Sequence, residues 1–145
     1  MVVVIQRVKK ANCIVNDKII SEIDKGIVLL IGFSKDDEIY KCEKIAKKIL
    51  NLRIFEDENK KMNKNICAVE GSILAISQFT LTADINNGNR PSFDSCMEPN
   101  KAKVLYDYFV NYLKCQNIIV KTGIFGAYMQ INISNDGPVT FVLNS

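Results

Sequence analysis

Two short polar segments hold the residue types that could do chemistry in this chain. Ser77-Gln78-Phe79-Thr80 follows the apolar run Ile73–Ile76, so hydroxyl and amide groups come directly after a predicted buried strand. The second segment, Asn135–Thr140, contains Gly137-Pro138 between two strand-like runs. A Gly-Pro pair is typical of a sharp turn, and X-Pro bonds are cis in about 5–6% of cases in folded proteins. Either segment alone also fits an ordinary strand end or an ordinary turn.

Histidine is absent from this chain of 145 residues, and its absence limits the chemistry. A Ser-His-Asp or Cys-His nucleophile is excluded, as is any zinc site that needs imidazole. The five cysteines form no C-x-x-C pair, which is typical of reduced, mostly buried thiols in a cytosolic protein. No metal ligand is singled out and no cofactor is implied, and dependence on a metal stays open. Hydrolytic chemistry would have to use main-chain donors, a hydroxyl group or the substrate itself.

Length and charge set the broad class of the protein. We expect one domain over residues 1–145, large enough to bury about 68–70% of its unfolded surface. The net charge of +3 permits an RNA partner without indicating one, and DNA-binding domains usually carry a more basic face. No apolar run approaches the ~20 residues that span a bilayer, and the N-terminus has no signal-peptide pattern. A cytoplasmic protein with no membrane partner is the expectation.

The apolar pattern of the first half predicts three strands and a helix. Residues 2–15 and 19–23 read as a hairpin, and the continuous apolar run 27–33 as a strand buried on both faces. Ser34 is predicted to cap a helix with an acidic first turn and an apolar stripe that extends to Leu52.

The second half predicts further strands around a second helix. Pro99 is expected to open this helix, after a loop from Thr82 to Glu98 whose length often indicates function. The segment 62–68 reads as irregular. Strands are predicted at residues 53–55, 71–77, 118–120, 128–133 and 139–143. This order of elements suggests a mixed α/β domain with helices on one side of a sheet.

Taken together, these segments resemble the D-aminoacyl-tRNA deacylases (D-tyrosyl-tRNA(Tyr) deacylases), dimeric enzymes that remove D-amino acids from tRNA in translation quality control. Besides the two polar segments, the resemblance covers Gln6-Arg7-Val8, Leu52–Phe55, Arg90–Phe93 and Gly123–Ala127. It implies two packed sheets curled into a barrel-like core flanked by two helices. It also implies a cytoplasmic homodimer that acts on D-aminoacyl-tRNA at sites formed across the subunit interface.

The resemblance implies a role for each residue of the first segment. Phe79 and Thr80 would supply main-chain amides at the reacting ester, while Ser77 and Gln78 would shape the pocket. Thr80 is also the obvious side-chain nucleophile, but the sequence offers no base to activate its hydroxyl. We favour attack assisted by the 2′-hydroxyl of the terminal adenosine, with the Thr80 nucleophile as the alternative.

The resemblance also implies how L-amino acids are rejected. Gly137-Pro138 would form a cis corner inserted into the active site of the other subunit, where it crowds the space that an L side chain needs. Glycine has no side chain to reject, so glycyl-tRNA, including that mischarged on tRNA(Ala), would be a substrate. Arg7 would hold the corner rigid, Phe125 and Gly126 would receive the terminal adenine, and Met129 would line the pocket.

Several interpretations stay open at this point. Arg7 could instead be an outward-facing charge on a strand, and Phe125 and Met129 could be core residues. The lysines of the first helix could form a solvated surface or contact tRNA phosphates. Val2 and Tyr128 depart from the family pattern, which puts peripheral contacts in doubt. A dimeric module that binds an RNA 3′ end or a D-amino acid without turnover is the main rival to an enzyme, and a purely structural dimer is a third interpretation.

Overall fold

A computed structural model describes residues 1–86 and 88–145, and within them lie eight strands, two α-helices and one short 3₁₀ turn. The 3₁₀ turn covers Phe79–Thr82. The helices are α1, Ile39–Asn51, and α2, Pro99–Lys114. The strands are β1 Val2–Val15, β2 Lys18–Ile23, β3 Gly26–Gly32, β4 Phe55–Glu56, β5 Met62–Lys64, β6 Ser72–Ser77, β7 Val120–Thr122 and β8 Gln130–Asn144.

Six of these strands form one curled, barrel-like sheet in the order β2-β1-β3-β6-β7, with β8 paired to the other side of β1. β3, β6 and β7 run parallel to one another, and β1 is antiparallel to β2, β3 and β8. β4 and β5 form a separate two-stranded sheet. The expected mixed α/β fold, with a barrel-like core and two flanking helices, is confirmed.

A change of side-chain parity along β1 allows the sheet to supply two cores. Val3 and Ile5 point into the core beneath α1 and α2, whereas Val8, Ala11 and Cys13 point into a second core on the opposite face. The β1–β8 register shifts on both sides of Val8, and such an irregularity reverses the alternation of a strand. Ile131 and Ile133 of β8 pack on the second core.

The first helix begins later than the sequence predicted. Ser34 does not cap it: α1 starts at Ile39, and its first turn holds no acidic residue. The Asp37 carboxylate instead accepts from the Ser34 amide at 2.7 Å and pairs with the Met1 ammonium group at 2.5 Å. Burial acts to raise the pKa of Asp37, but these hydrogen bonds outweigh it and leave the pKa below its usual value.

Other boundaries differ by a few residues. The strand expected at 53–55 covers Phe55–Glu56, the one expected at 118–120 covers Val120–Thr122, and the segment expected to be irregular contains β5. Pro99 opens α2 as predicted, and the last two predicted strands form one strand, β8.

Three smaller expectations can also be compared with the structure. The predicted loop 82–98 contains Asn87, which lies outside the described residues. Buried thiols are found at Cys13 and Cys42, but Cys67 and Cys115 are exposed, so the thiols are not mostly buried. Among the described residues, neither helix has the length and apolar character needed to cross a membrane.

Candidate active site

A cleft of about 690 Å³ opens where β6 ends. Ser77, Gln78 and Phe79 line it on one side, and the segment 125–129 before β8 lines it on the other. Its apolar wall includes Ile31, Phe33, Ile76, Met97, Pro99 and Ala102. The structure therefore brings together six of the residues proposed from the sequence: Ser77, Gln78, Phe79, Phe125, Gly126 and Met129.

The chain leaves β6 through a tightly held turn. The Gln78 amide continues the sheet by donating to the Ile31 carbonyl at 2.7 Å, after which the 3₁₀ turn begins at Phe79. A Cβ atom at Gly32 would come within 2.8 Å of the Gln78 carbonyl oxygen and within 3.1 Å of Leu81 Cβ. Glycine at this position lets the turn pack directly against the end of β3.

Two main-chain amides at the start of the turn are available to a ligand. The first N–H groups of a helical turn have no acceptor inside that turn. Within the described part of the chain, the amides of Phe79 and Thr80 donate to no other protein group. Such a pair of donors can stabilise an oxyanion without any titratable side chain.

The Thr80 hydroxyl has a partner that cannot act as a base. Gln78 Nε2 donates to Thr80 Oγ1, and an amide nitrogen cannot take up a proton from a hydroxyl. No carboxylate among the described residues contacts this hydroxyl. Thr80 is exposed beside the cleft, next to Phe79, whose ring lies 5.1 Å from that of Phe93.

The opposite wall of the cleft is fixed by aromatic packing. The Phe125 ring lies 5.6 Å from that of Tyr106, whose hydroxyl donates to the Ala75 carbonyl at 2.8 Å. Burial raises the pKa of Tyr106, so this phenol stays protonated as a donor. Phe125 and Met129 each line the cleft and also pack on a core, so the core interpretation is confirmed and their roles toward a substrate stay predictions. Gly126 has φ +76°, a conformation that favours glycine.

The Gly-Pro corner is a bulge in β8. Gln6 pairs with Thr140 and Val8 with Asn135, so residues 136–139 lie opposite Arg7 alone. The Gly137-Pro138 bond is cis, and both residues are exposed.

Glycine is required at the first corner position. Gly137 has φ +129°, and a Cβ atom there would lie 2.6 Å from Val139 Cγ2. Asn135 closes the bulge: its Oδ1 accepts from the Val139 amide at 2.9 Å, and its Nδ2 donates to Thr140 Oγ1 at 3.2 Å. The bulge is therefore a defined shape and not a loose loop.

Arg7 supports the corner from inside the protein. It is 5% exposed, so the interpretation as an outward-facing charge is wrong. Its Nε donates to the Asp136 carbonyl at 3.3 Å and lies 3.1 Å from Asp136 Oδ2. Its Nη1 donates to the Ile54 carbonyl at 2.7 Å, which links the corner to the segment before β4.

Within one copy of the chain, the corner and the cleft are far apart. Arg7 pairs with Ile27 and lies four residues along β1 from Val3, the residue in line with Ser77, a separation of about 13 Å. Three strand spacings, from β8 to β6, add about 14 Å across the sheet. Gly137, Pro138 and Arg7 do not line the cleft. A single chain does not bring the two sequence motifs together.

Sequence reasoning missed several residues around the cleft. Met97, Pro99 and Ala102 line it because the start of α2 packs beside the end of β6. Thr82, which holds the turn, was named only as the start of a loop, and Asn135, which closes the bulge, only as the start of the second polar segment. The unusual length of the segment after Thr82 was the one available signal. The described residues contain no group of three or more His, Cys, Asp or Glu side chains that could hold a metal ion.

The helix lysines fall into two groups. Lys41 and Lys47 pair with Asp37 and Glu43 respectively. Lys44 and Lys48 are exposed.

Comparison with known proteins identifies the family. The sequence model of the family described as D-Tyr-tRNA(Tyr) deacylase matches residues 4–144. The chain is 52% identical to a D-aminoacyl-tRNA deacylase of Staphylococcus haemolyticus, over 100% of this chain and 96% of that protein. It is 50% identical to one of Fervidobacterium nodosum, over 98% of this chain and 95% of that protein.

Two solved structures share the fold. One, titled c-Myc DNA Unwinding Element Binding Protein, has a TM-score of 0.94 at 42% identity and covers 100% of this chain and 99% of its own. The other, titled as a probable eukaryotic D-amino acid tRNA deacylase, has a TM-score of 0.84 at 18% identity, with coverage of 98% and 97%, and supports the fold alone. The chain thus belongs to the D-Tyr-tRNA(Tyr) deacylase family, and it is an enzyme of the hydrolase class that acts on ester bonds.

Proposed function

We propose that this protein hydrolyses the ester bond of D-aminoacyl-tRNA, releasing the D-amino acid and the tRNA. The observation that carries the proposal is the pair of amides at Phe79 and Thr80, which have no partner among the described residues and lie beside a cleft whose described lining holds no Asp, Glu, Lys or His. An aminoacyl ester is already activated, so oxyanion stabilisation and a positioned nucleophile suffice. The cytoplasm, where charged tRNA is used, is the corresponding location.

The two amides would bind the carbonyl oxygen of the ester as negative charge develops on it. Removing one donor of this kind typically lowers the rate by about 10²–10³. Because the Thr80 hydroxyl faces an amide donor, it lacks the base that a nucleophile needs. The 2′-hydroxyl of the terminal adenosine is then the group that assists attack by water. Phe125 and Gly126 would receive the adenine, and Met129 the adjoining part of the substrate.

The proposal includes a second copy of the chain, because one copy leaves the corner and the cleft apart. In the homodimer, Gly137-Pro138 of one copy would enter the cleft of the other. Exposed apolar side chains beside both regions support burial by a partner: Phe79 is 57% exposed and Tyr128 96%, and Val142, near the corner on β8, is 58% exposed. The corner carbonyls would accept hydrogen bonds from the substrate amino group and crowd the position of an L side chain.

Rejection by crowding works only on a substrate that has a side chain. Glycine presents no side chain to the corner, so glycyl-tRNA, including glycine mischarged on tRNA(Ala), is expected to be hydrolysed. The enzyme would then act on achiral as well as D substrates. An L-aminoacyl-tRNA of the same tRNA would be spared.

Release of labelled tyrosine from D-tyrosyl-tRNA tests the proposal, with L-tyrosyl-tRNA as the control. We expect fast release from the D ester and none above background from the L ester. Equal release from both would contradict the stereochemical proposal, and no release from either would contradict the enzyme.

Binding of a DNA duplex, in addition to hydrolysis, is a second candidate activity, because one solved relative at 42% identity is titled as a DNA-element binding protein. Filter binding of uncharged tRNA, D-tyrosyl-tRNA and a DNA duplex in the same assay tests it. Binding of the duplex as tight as that of D-tyrosyl-tRNA would support this activity, and no binding of the duplex would contradict it.

A further inference from the structure

We infer that Thr82 is a positioning residue for this reaction, because its hydroxyl fixes the direction in which the Thr80 amide points. The inference rests on the proposed function, in which that amide binds the oxyanion. Thr82 does not touch the cleft itself; it acts through the Phe79 carbonyl.

The Thr82 hydroxyl lies behind the turn, away from solvent. Thr82 is 8% exposed, and its Oγ1 lies 2.9 Å from the Phe79 carbonyl oxygen and 3.3 Å from that of Phe33. Its one proton is shared among these two carbonyl oxygens and the Cys96 sulfur, which lies 3.1 Å from Oγ1 as a third acceptor. The hydroxyl thereby joins the turn to the end of β3 and to the segment before α2.

The geometry of the peptide group links the Thr82 contact at the Phe79 carbonyl to the orientation of the Thr80 N–H. The Phe79 carbonyl and the Thr80 N–H belong to one planar peptide group, and in a trans peptide they point in opposite directions. Holding the oxygen inward therefore keeps the N–H outward. Without that hold, the 3₁₀ turn itself and the weak thiol contact of Cys96 are left to restrain the peptide plane. Rotation through compensating changes of the two flanking dihedrals then takes the donor out of its alignment with the oxyanion.

Other contacts hold the turn from the same side. Ser95 Oγ donates to the Thr82 carbonyl, and the Met97 amide donates to the Phe33 carbonyl at 3.0 Å. The Cys96 thiol lies 3.5 Å from the Phe79 carbonyl oxygen. The segment before α2 thus forms a support behind the turn, and Thr82 is the residue whose hydroxyl meets both that support and the turn.

A threonine hydroxyl often bonds a carbonyl three or four residues earlier in a helical turn, and a purely structural role is the alternative. A matched pair of substitutions distinguishes the two. Thr82→Val keeps the side-chain shape and removes the hydroxyl, whereas Thr82→Ser keeps the hydroxyl and removes the methyl group. Each variant is assayed on D-tyrosyl-tRNA for kcat and KM separately, and its thermal unfolding is recorded.

We expect Thr82→Val to lower kcat by about 10-fold or more, up to the ~10²-fold seen when an oxyanion donor is lost, with KM within about twofold of wild type. Thr82→Ser should stay within about threefold of wild type in kcat. A donor needed only in the transition state affects kcat and kcat/KM equally, whereas a merely structural loss would lower the melting temperature and leave kcat of the folded enzyme intact.

Two results would overturn the inference: a folded Thr82→Val with wild-type kcat, or equal losses in Thr82→Val and Thr82→Ser. Should Thr82→Val not fold, Thr82→Cys replaces it in the comparison with Thr82→Ser. Because a thiol is a weaker hydrogen-bond donor than a hydroxyl, the kcat of Thr82→Cys must fall below that of Thr82→Ser. If wild-type protein releases no tyrosine, the proposed function has failed instead. The two failures are therefore distinguishable.

Discussion

The turn after β6 and the bulge in β8 are both short polar segments, but one copy of the chain completes only the first. The turn is held by Gln78 on β3 and by Thr82 behind it, and it already opens into a cleft. The bulge is also held, by Arg7 and Asn135, yet its exposed residues Gly137 and Pro138 do not line that cleft in their own chain. The proposed catalytic donors are therefore already in place in one copy, while the proposed stereochemical filter requires a second copy.

The largest expected effect comes from removing one donor of the turn. Phe79→Pro deletes the Phe79 amide at the first position of the helical turn, where proline is well tolerated. Phe79→Ala is the matched control, since it loses the same ring and keeps the amide. We expect kcat of Phe79→Pro to lie about 10²–10³ below that of Phe79→Ala. Equal rates in the two variants would remove this amide from the mechanism.

The next largest effect is expected from a substitution in the bulge that leaves the turn after β6 unchanged. Gly137→Ala places a Cβ atom 2.6 Å from Val139 Cγ2 at φ +129°, so the corner has to shift. We expect the ratio of D- to L-tyrosyl-tRNA hydrolysis to fall by about tenfold or more, equivalent to ~1.4 kcal/mol of discrimination. Asn132→Ala, on the exposed side of the same strand, serves as the control. An unchanged ratio would show that the corner does not select the substrate.

A smaller effect is expected behind the bulge. Arg7→Met keeps much of the side-chain length but leaves the Ile54 carbonyl without its donor and Asp136 without its cation. We expect a loss of about 1–3 kcal/mol in the free energy of unfolding, measured by urea denaturation, together with a lower D-to-L ratio. Arg7→Lys keeps the charge but not the guanidinium group with its several donors. Its free energy of unfolding should lie between those of wild type and Arg7→Met. Full stability in Arg7→Met would contradict the supporting role.

The smallest effect is expected at the Thr80 side chain. Thr80→Ala removes the hydroxyl and keeps the main-chain amide, so kcat on D-tyrosyl-tRNA should stay within about tenfold of wild type, far from the loss expected for an essential nucleophile. Thr80→Ser is the control for side-chain size. Near-complete loss in Thr80→Ala, with folding and tRNA binding intact, would restore the threonine nucleophile.

The sequence predicted most of what depends on local pattern. The long β1, the doubly buried β3 and the start of α2 at Pro99 follow from apolar periodicity and from proline at a first helical position. The start of α1 did not follow, because Asp37 is engaged by the Met1 ammonium group, a contact from far away in the chain. Local capping signals carry no information about such a partner.

Six of the residues singled out in the sequence line the cleft, but the arrangement of the site was not predictable. Arg7 reads as a surface charge by residue type, and the segment it supports is set by the register shift that places four residues of β8 opposite it. The contribution of α2 to the cleft depends on how the helix packs beside β6. Neither feature is encoded in a short pattern, because both result from pairing between distant segments.

Mixing two defective variants tests the composite site most directly. Phe79→Pro carries a defective turn and an intact corner, whereas Gly137→Val carries an intact turn and a corner whose side chain fills the cleft it enters. Each alone should be nearly inactive on D-tyrosyl-tRNA. After unfolding and refolding together, random pairing of subunits should restore about a quarter of the wild-type sites, since half of the dimers are mixed and each has one intact site. Activity that stays at the average of the two separate variants would contradict a site shared between two copies.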